Sequence, residues 1–122
     1  MTFESIKPGL THDLKEAVSQ DQTINRMGKE GADVLSTPSL LALMEWSSIH
    51  STDHLLPEGH TTVGYAVDGM RHLAPTAIGS TVSVKATLTE VDGTRLTYEI
   101  EAHEGDKMIG KAVHKRAIIQ IQ

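Results

Sequence analysis

The stretch that decides the fold is TVSVKATLTEVDGTRLTYEIEAHEGD, residues 81–106. Val82, Val84, Ala86 and Leu88 alternate with Thr81, Ser83, Lys85 and Thr87. A period of two sends alternate side chains to opposite faces, so this segment reads as a strand with one face in and one face out. Asp92-Gly93 follows, a strong hairpin signal. Leu96, Tyr98, Ile100 and Ala102 then alternate with Arg95, Thr97, Glu99 and Glu101, and Glu104-Gly105-Asp106 marks a second turn. Residues 108–121 are apolar enough for a third strand, but their alternation is less clean, which suggests a bulge or burial on both faces. The second half of the chain is therefore predicted to be an antiparallel meander.

Working upstream, Thr61 to Leu73 reads as another strand, interrupted near Asp68-Gly69, and residues 74–79 break the ladder. Gly9 to Val18 suggests an edge strand, and Ser19 to Met27 a short helical turn. Between them lies STPSLLALMEWSSIHS, residues 36–51, the one clear long helix. Pro38 suits its first position, and Thr37 or Ser36 suits the N-cap. Leu40, Leu41, Leu43, Met44 and Ser48 can share a packed face, and the helix should end near Asp53 or His54, before Pro57. One helix against an antiparallel sheet is an α+β layer arrangement, expected as a single domain over residues 1–122.

Composition excludes several classes. The 122 residues contain only four aromatics and carry a net charge of −5. Neither a stacking platform for single-stranded nucleic acid nor a basic surface for nucleic acid or anionic membranes is expected. With no cysteine, disulfides and thiolate chemistry are excluded, and a cytoplasmic protein is the expectation. Residues 1–13 show no basic start followed by an apolar core, so no signal peptide is read there. No apolar run approaches the roughly 20 residues that span a bilayer.

Three residues stand out chemically. Glu45 interrupts the most apolar part of the helix, between Met44 and Trp46. Either it points to water, or it is held in a pocket, because an unpaired buried carboxylate is costly. Thr37 lies eight residues earlier, within roughly 80° around the helix and about 12 Å along it. The ordinary reading of Thr37 is an N-cap; the functional reading adds that a helix N-terminus can receive a developing oxyanion. His72 precedes the Pro75-containing turn and alone suggests a structural role. His50 and His54, with Asp53 nearby, have the spacing of two ligands on one helix face, but the HExxH pattern is absent and a helix C-terminus favours such cations anyway. No metal and no cofactor are expected. Phosphate loops, dinucleotide fingerprints and GxSxG elbows are absent.

Taken together, STPSLLALMEW, RHLAPTAIGSTVSV, VDGTRLTYEIEAHEGDKMIGKAVHKRAII and the early LTHD resemble the hotdog-fold acyl-CoA thioesterases, in the branch that includes fluoroacetyl-CoA thioesterase. The resemblance implies a curled antiparallel sheet wrapped around one long central helix. It implies that Thr37, Glu45 and His72 are catalytic in hydrolysis of a short- or medium-chain acyl-CoA, with Glu45 as general base or as nucleophile. It makes Gly64, Pro38 and Arg71 substrate-contact candidates. The Gly64–His72 interval is one residue longer than the family pattern, which a bulge at Asp68-Gly69 would absorb. Arg71, Lys111, Lys115 and Arg116 are candidates for the coenzyme's phosphates, with a solvated surface role the alternative for each. A homodimer, or a dimer of dimers, is implied as well.

The branch's aromatic cover just ahead of the helix has no counterpart in residues 28–35, so fluoroacetyl specificity is not expected to carry over. The rival readings are a hotdog module that binds acyl-CoA or another small apolar ligand without turning it over, and a hydratase, for which no Asp/His segment is found.

Overall fold

The computed structural model describes residues 3–25 and 28–122. Strand β1 (Thr11–Ala17) precedes helix α1 (Thr37–Thr52), and four strands follow: β2 (His60–His72), β3 (Thr81–Asp92), β4 (Arg95–Glu104) and β5 (Lys107–Gln120). They form one five-stranded antiparallel sheet in the order β1-β3-β4-β5-β2. A 3₁₀ turn over Gln20–Gln22 stands where a helical turn was expected, and Met27 lies outside the described residues. A second 3₁₀ turn, Asp53–Leu55, ends the helical segment.

The period-two pattern of β3 and β4 does what it predicts. Val82, Val84, Ala86, Leu88, Leu96, Tyr98, Ile100 and Ala102 are all buried, and the register sets Val84 opposite Ala102 and Ala86 opposite Ile100. Their shared face receives α1 through Leu40, Leu43 and Met44. The rest of the helix's buried face is Ser47, Ser48, Ser51 and Thr52. These small hydroxyl residues bring the helix close to the sheet without burying orphaned groups. The Ser47 hydroxyl lies 2.8 Å from the His12 carbonyl and 2.7 Å from that of Val84. Thr52 Oγ1 lies 2.6 Å from the Tyr98 hydroxyl, whose pKa burial pushes up to about 12. Leu41, expected on the packed face, is only half-buried.

β5 explains its own irregular pattern. After a register shift opposite Ala102/His103, its inward positions are Ala112, His114, Arg116 and Ile118. The alternation is intact, but two of its inward residues are polar. β2 carries the expected irregularity between Asp68 and Arg71, and a second shift between Gly64 and Ala66 that the sequence did not announce. Close approach of β5 to the helix needs Gly110: a Cβ there would stand 2.8 Å from Leu40 Cδ2 and 3.1 Å from the Arg71 carbonyl oxygen. Among the described residues, no helix is long and apolar enough to cross a membrane.

Candidate active site

Ser36, not Thr37, caps the helix: its hydroxyl accepts from the Ser39 amide at 3.2 Å. Thr37 is therefore free for another partner. The lead-in to the helix runs beside the segment after β2, tied by Leu35 N–H to the Thr76 carbonyl (2.8 Å) and Ile78 N–H to that of Asp33 (2.8 Å). This brings the helix start to the end of β2, where Thr37 Oγ1 lies 2.9 Å from His72 Nδ1.

Burial lowers the His72 pKa, so the ring is neutral at pH 7. Its other nitrogen, Nε2, is buried and has no hydrogen-bond partner among the described residues. A buried N–H left unpaired is rarer than an unpaired lone pair. The tautomer inferred on that ground has Nδ1–H donating to Thr37 Oγ1, which leaves the threonine hydroxyl proton facing outward. Beside this pair is a groove of about 310 Å³, walled by Ile24, Val34, Leu35, Leu73, Ala74 and Pro75.

Glu45 belongs to a second cluster. Its side chain is 42% exposed, yet Oε2 lies 3.6 Å from Arg116 Nη1 and 4.0 Å from His114 Nε2. Arg116 is only 4% exposed and His114 only 2%. A guanidinium buried this far needs most of its donors used. Arg116 Nε donates to Thr62 Oγ1 (2.8 Å), Nη2 to the Thr62 carbonyl (2.9 Å), and Nη1 to His114 Nε2 (3.2 Å). Thr62 Oγ1 in turn donates to Asp53, with oxygens at 2.9 and 3.0 Å. The charge of Arg116 is thus balanced by Glu45 on one side and, through Thr62, by Asp53 on the other. Gly64 lies against this cluster: a Cβ on it would meet His114 Cε1 at 2.9 Å and Arg116 Nη1 at 3.1 Å.

A family model described as fluoroacetyl-CoA-specific thioesterase (FlK) matches residues 18–122. The chain belongs to the fluoroacetyl-CoA-specific thioesterase family. The curated fluoroacetyl-CoA thioesterase of Streptantibioticus cattleyicolor is 32% identical over 118 residues, covering 92% of this chain and 83% of that protein. A point mutant of FlK in complex with fluoroacetate and CoA superposes with a TM-score of 0.84 at 30% identity, covering 95% of this chain and 97% of that one. A hot-dog-like protein from Thermanaerovibrio acidaminovorans gives 0.87 at 26% identity, with 98% and 89% coverage. The sheet and central helix of this family member are those of the hotdog fold, and the family is one of thioester hydrolases.

Against that membership, the residues anticipated from the sequence divide into two groups. Thr37 and His72 meet; Glu45 and Gly64 share the other cluster, about 12 Å along the helix from Thr37. Pro38 sits exposed in the first helical turn. Arg71 is exposed and donates to the Met70 carbonyl at 2.9 Å. Lys111 is exposed, and Lys115 lies 3.8 Å from Asp68. Arg116 does not fit the surface role weighed for it: it is buried beneath Glu45. His114 was not anticipated at all. Its signal was available, since Ala112, His114, Arg116 and Ile118 keep strand phase. Two residues of the metal reading have other neighbours, and His54 is exposed. Asp53 takes Thr62, and the His50 ring lies 5.1 Å from that of His12 and 5.8 Å from that of Trp46. No cluster of three metal-ligating side chains forms among the described residues.

Proposed function

We propose that this thioester hydrolase cleaves acyl-CoA carrying a short or medium aliphatic acyl chain, with Glu45 as the general base. The observation that carries the reading is the Glu45 carboxylate itself. It is neither free in water nor buried without a partner, but held at 3.6 Å by a guanidinium that is itself fixed from three sides. A carboxylate held in one orientation and still open to solvent suits the abstraction of a proton from water.

In this reading, water attacks the thioester carbonyl carbon as Glu45 takes its proton. The Thr37 hydroxyl, backed by His72, donates to the carbonyl oxygen as it becomes an oxyanion. The C–S bond then breaks, and the proton on Glu45 passes to the departing thiolate. The products are the carboxylic acid and CoA. His72 acts through Thr37, because its second ring nitrogen is buried. The Ile24–Val34–Leu73 groove would take the acyl chain; among the described residues its walls are aliphatic apart from Thr37 and His72, so it suits an aliphatic tail.

Within one chain the two clusters are far apart. Gly110 pairs with His72 and Arg116 with Gly64, six residues apart on β5, which is about 20 Å of strand. The proposed solution is a homodimer joined along β2, an edge strand of 13 residues with Val63 and Tyr65 exposed on it. A long uncovered edge of this kind invites a partner strand. Two-fold antiparallel pairing centred near Asp68 would set His72 of one subunit opposite Gly64 of the partner subunit, making each site composite. A dimer of dimers would leave this arrangement intact.

Glu45→Gln is expected to abolish thiol release from a panel of straight-chain acyl-CoAs while the far-UV spectrum stays unchanged. Near-normal turnover by that variant would reject the role.

A further inference from the structure

His114 is a buried titratable group that the proposed chemistry does not use. It projects inward from β5, 2% exposed. On the β2 side its Nδ1 lies 2.9 Å from the Ala66 carbonyl. A carbonyl only accepts, so Nδ1 carries the proton. In the neutral ring Nε2 is then a lone pair, and it receives Arg116 Nη1–H at 3.2 Å. Both contacts are satisfied only by the neutral ring, because a protonated Nε2–H would confront the guanidinium N–H directly.

The same nitrogen is 4.0 Å from Glu45 Oε2. We infer that His114 is a positioning residue for Glu45: while neutral it accepts from Arg116 and keeps Nη1 aimed at the carboxylate, and when protonated it repels Arg116 and takes the carboxylate for itself. This rests on the reading of Glu45 as the base. A carboxylate drawn into a hydrogen bond with an imidazolium is a weaker base for water. Protonation of His114 should therefore switch activity off in acid.

The charged and titratable groups facing His114 are few. Arg116 stands beside it on β5, Glu45 comes from α1, and Tyr98 from β4 has its ring 6.3 Å away. Asp53, beyond the helix, reaches the cluster through Thr62. From β2 it meets the Ala66 carbonyl, Gly64 and, across the ladder, Val67, none of them titratable. Burial, the largest influence, and the nearby Arg116 both lower the His114 pKa, against the Ala66 hydrogen bond and Glu45, which raise it. The neutral form thus prevails at neutral pH, and the switch lies on the acid side.

Two variants and one spectroscopic measurement test this. His114→Gln keeps an acceptor near the Nε2 position but cannot be protonated. His114→Leu removes the acceptor. The leucine variant is expected to lose about tenfold or more in kcat with KM little changed, and glutamine to restore most of that loss. In the parent, log kcat should fall more steeply in acid than in His114→Gln, the slopes differing by about 1. 15N spectra of the parent should show His114 as the Nδ1–H tautomer, and in Glu45→Gln its titration should be displaced.

An Nε2–H tautomer, an unchanged acid limb in His114→Gln, or full kcat in His114→Leu would each overturn the inference while Glu45 kept its role. An active Glu45→Gln would overturn both together.

Discussion

Arg116 and Glu45 are an ion pair of unequal partners: Nη1 and Oε2 are 3.6 Å apart, with the guanidinium buried and the carboxylate side chain 42% exposed. The pair should therefore respond asymmetrically to truncation. Arg116→Ala leaves the Thr62 carbonyl and hydroxyl and His114 Nε2 short of a donor, and should cost about 3 kcal/mol of stability. Glu45→Ala removes the solvent-screened partner and should cost less than about 1 kcal/mol. Urea denaturation of both variants checks the contrast, which equal losses would contradict.

Gly64→Ala tests the close approach of β2 to the second cluster. The new methyl would meet His114 Cε1 at 2.9 Å and Arg116 Nη1 at 3.1 Å. Neither neighbour is free to withdraw, because each is bonded elsewhere. A destabilisation of about 1–3 kcal/mol is expected from such overpacking, with a lower kcat. A variant as stable and as active as the parent would mean that the cluster yields easily.

Thr37→Val keeps the branched shape and removes the hydroxyl. Thr37 is exposed, so stability should change little. Loss of one donor to a developing oxyanion should lower kcat by about 100-fold. Thr37→Ser should retain far more activity, since the hydroxyl survives. Steady-state kinetics on one acyl-CoA would separate the two variants.

Base and nucleophile differ in whether the acyl group is ever bonded to Glu45, and on one route also in where solvent oxygen goes. In a single turnover in 18O-water, a general base puts the label into the released acid. A mixed anhydride on Glu45, opened by water attack on the acyl carbon, would also label the acid, whereas attack on the Glu45 carbonyl would label the enzyme. The expectation is label in the acid alone and no acyl adduct on Glu45 in quenched samples. Mass spectrometry of the Glu45 peptide decides it.

Stability should also depend on pH. Burial lowers the pKa of both His72 and His114 below the ordinary 6.5. The unfolded chain then binds more protons than the folded one between the lowered values and 6.5. Unfolding free energy accordingly rises with pH through that window, is fully present above it, and is lost as pH falls below 6.5 toward the folded-state values. Denaturation at about pH 8 and about pH 5.5 should show the fall. Replacing either ring by glutamine should reduce it, and an unaltered pH dependence in both variants would count against this assignment.

The sheet was legible wherever its two faces differ in polarity. Val82 to Leu88 and Leu96 to Ala102 could be assigned residue by residue, because the inward set is apolar. β5 was harder, since His114 and Arg116 occupy inward positions that the usual pattern gives to aliphatics. Their burial is compensated by Thr62, the Ala66 carbonyl and Glu45, partners contributed by other elements and invisible to local reading. The helix posed the same problem in reverse: Ser48 reads as part of the packed face, but Ser47 and Ser51 look solvated and yet lie on the inner face beside it. Family resemblance implied that Thr37, Glu45 and His72 act together, but not the contact of Thr37 with His72. The physical cause of that contact, the lead-in segment of residues 33–35 tied to residues 76–78, leaves only a faint local signal.

Gly110 sits opposite His72 in the ladder and directly under Leu40, at the start of the helix that carries Thr37. The gauge separating hydroxyl from imidazole is thus a hydrogen atom on a neighbouring strand that meets neither of them. An alanine at that point would wedge Leu40 away from the Arg71 backbone and part the two, so a flaw that looks like ordinary interior crowding would be felt as a failure of chemistry.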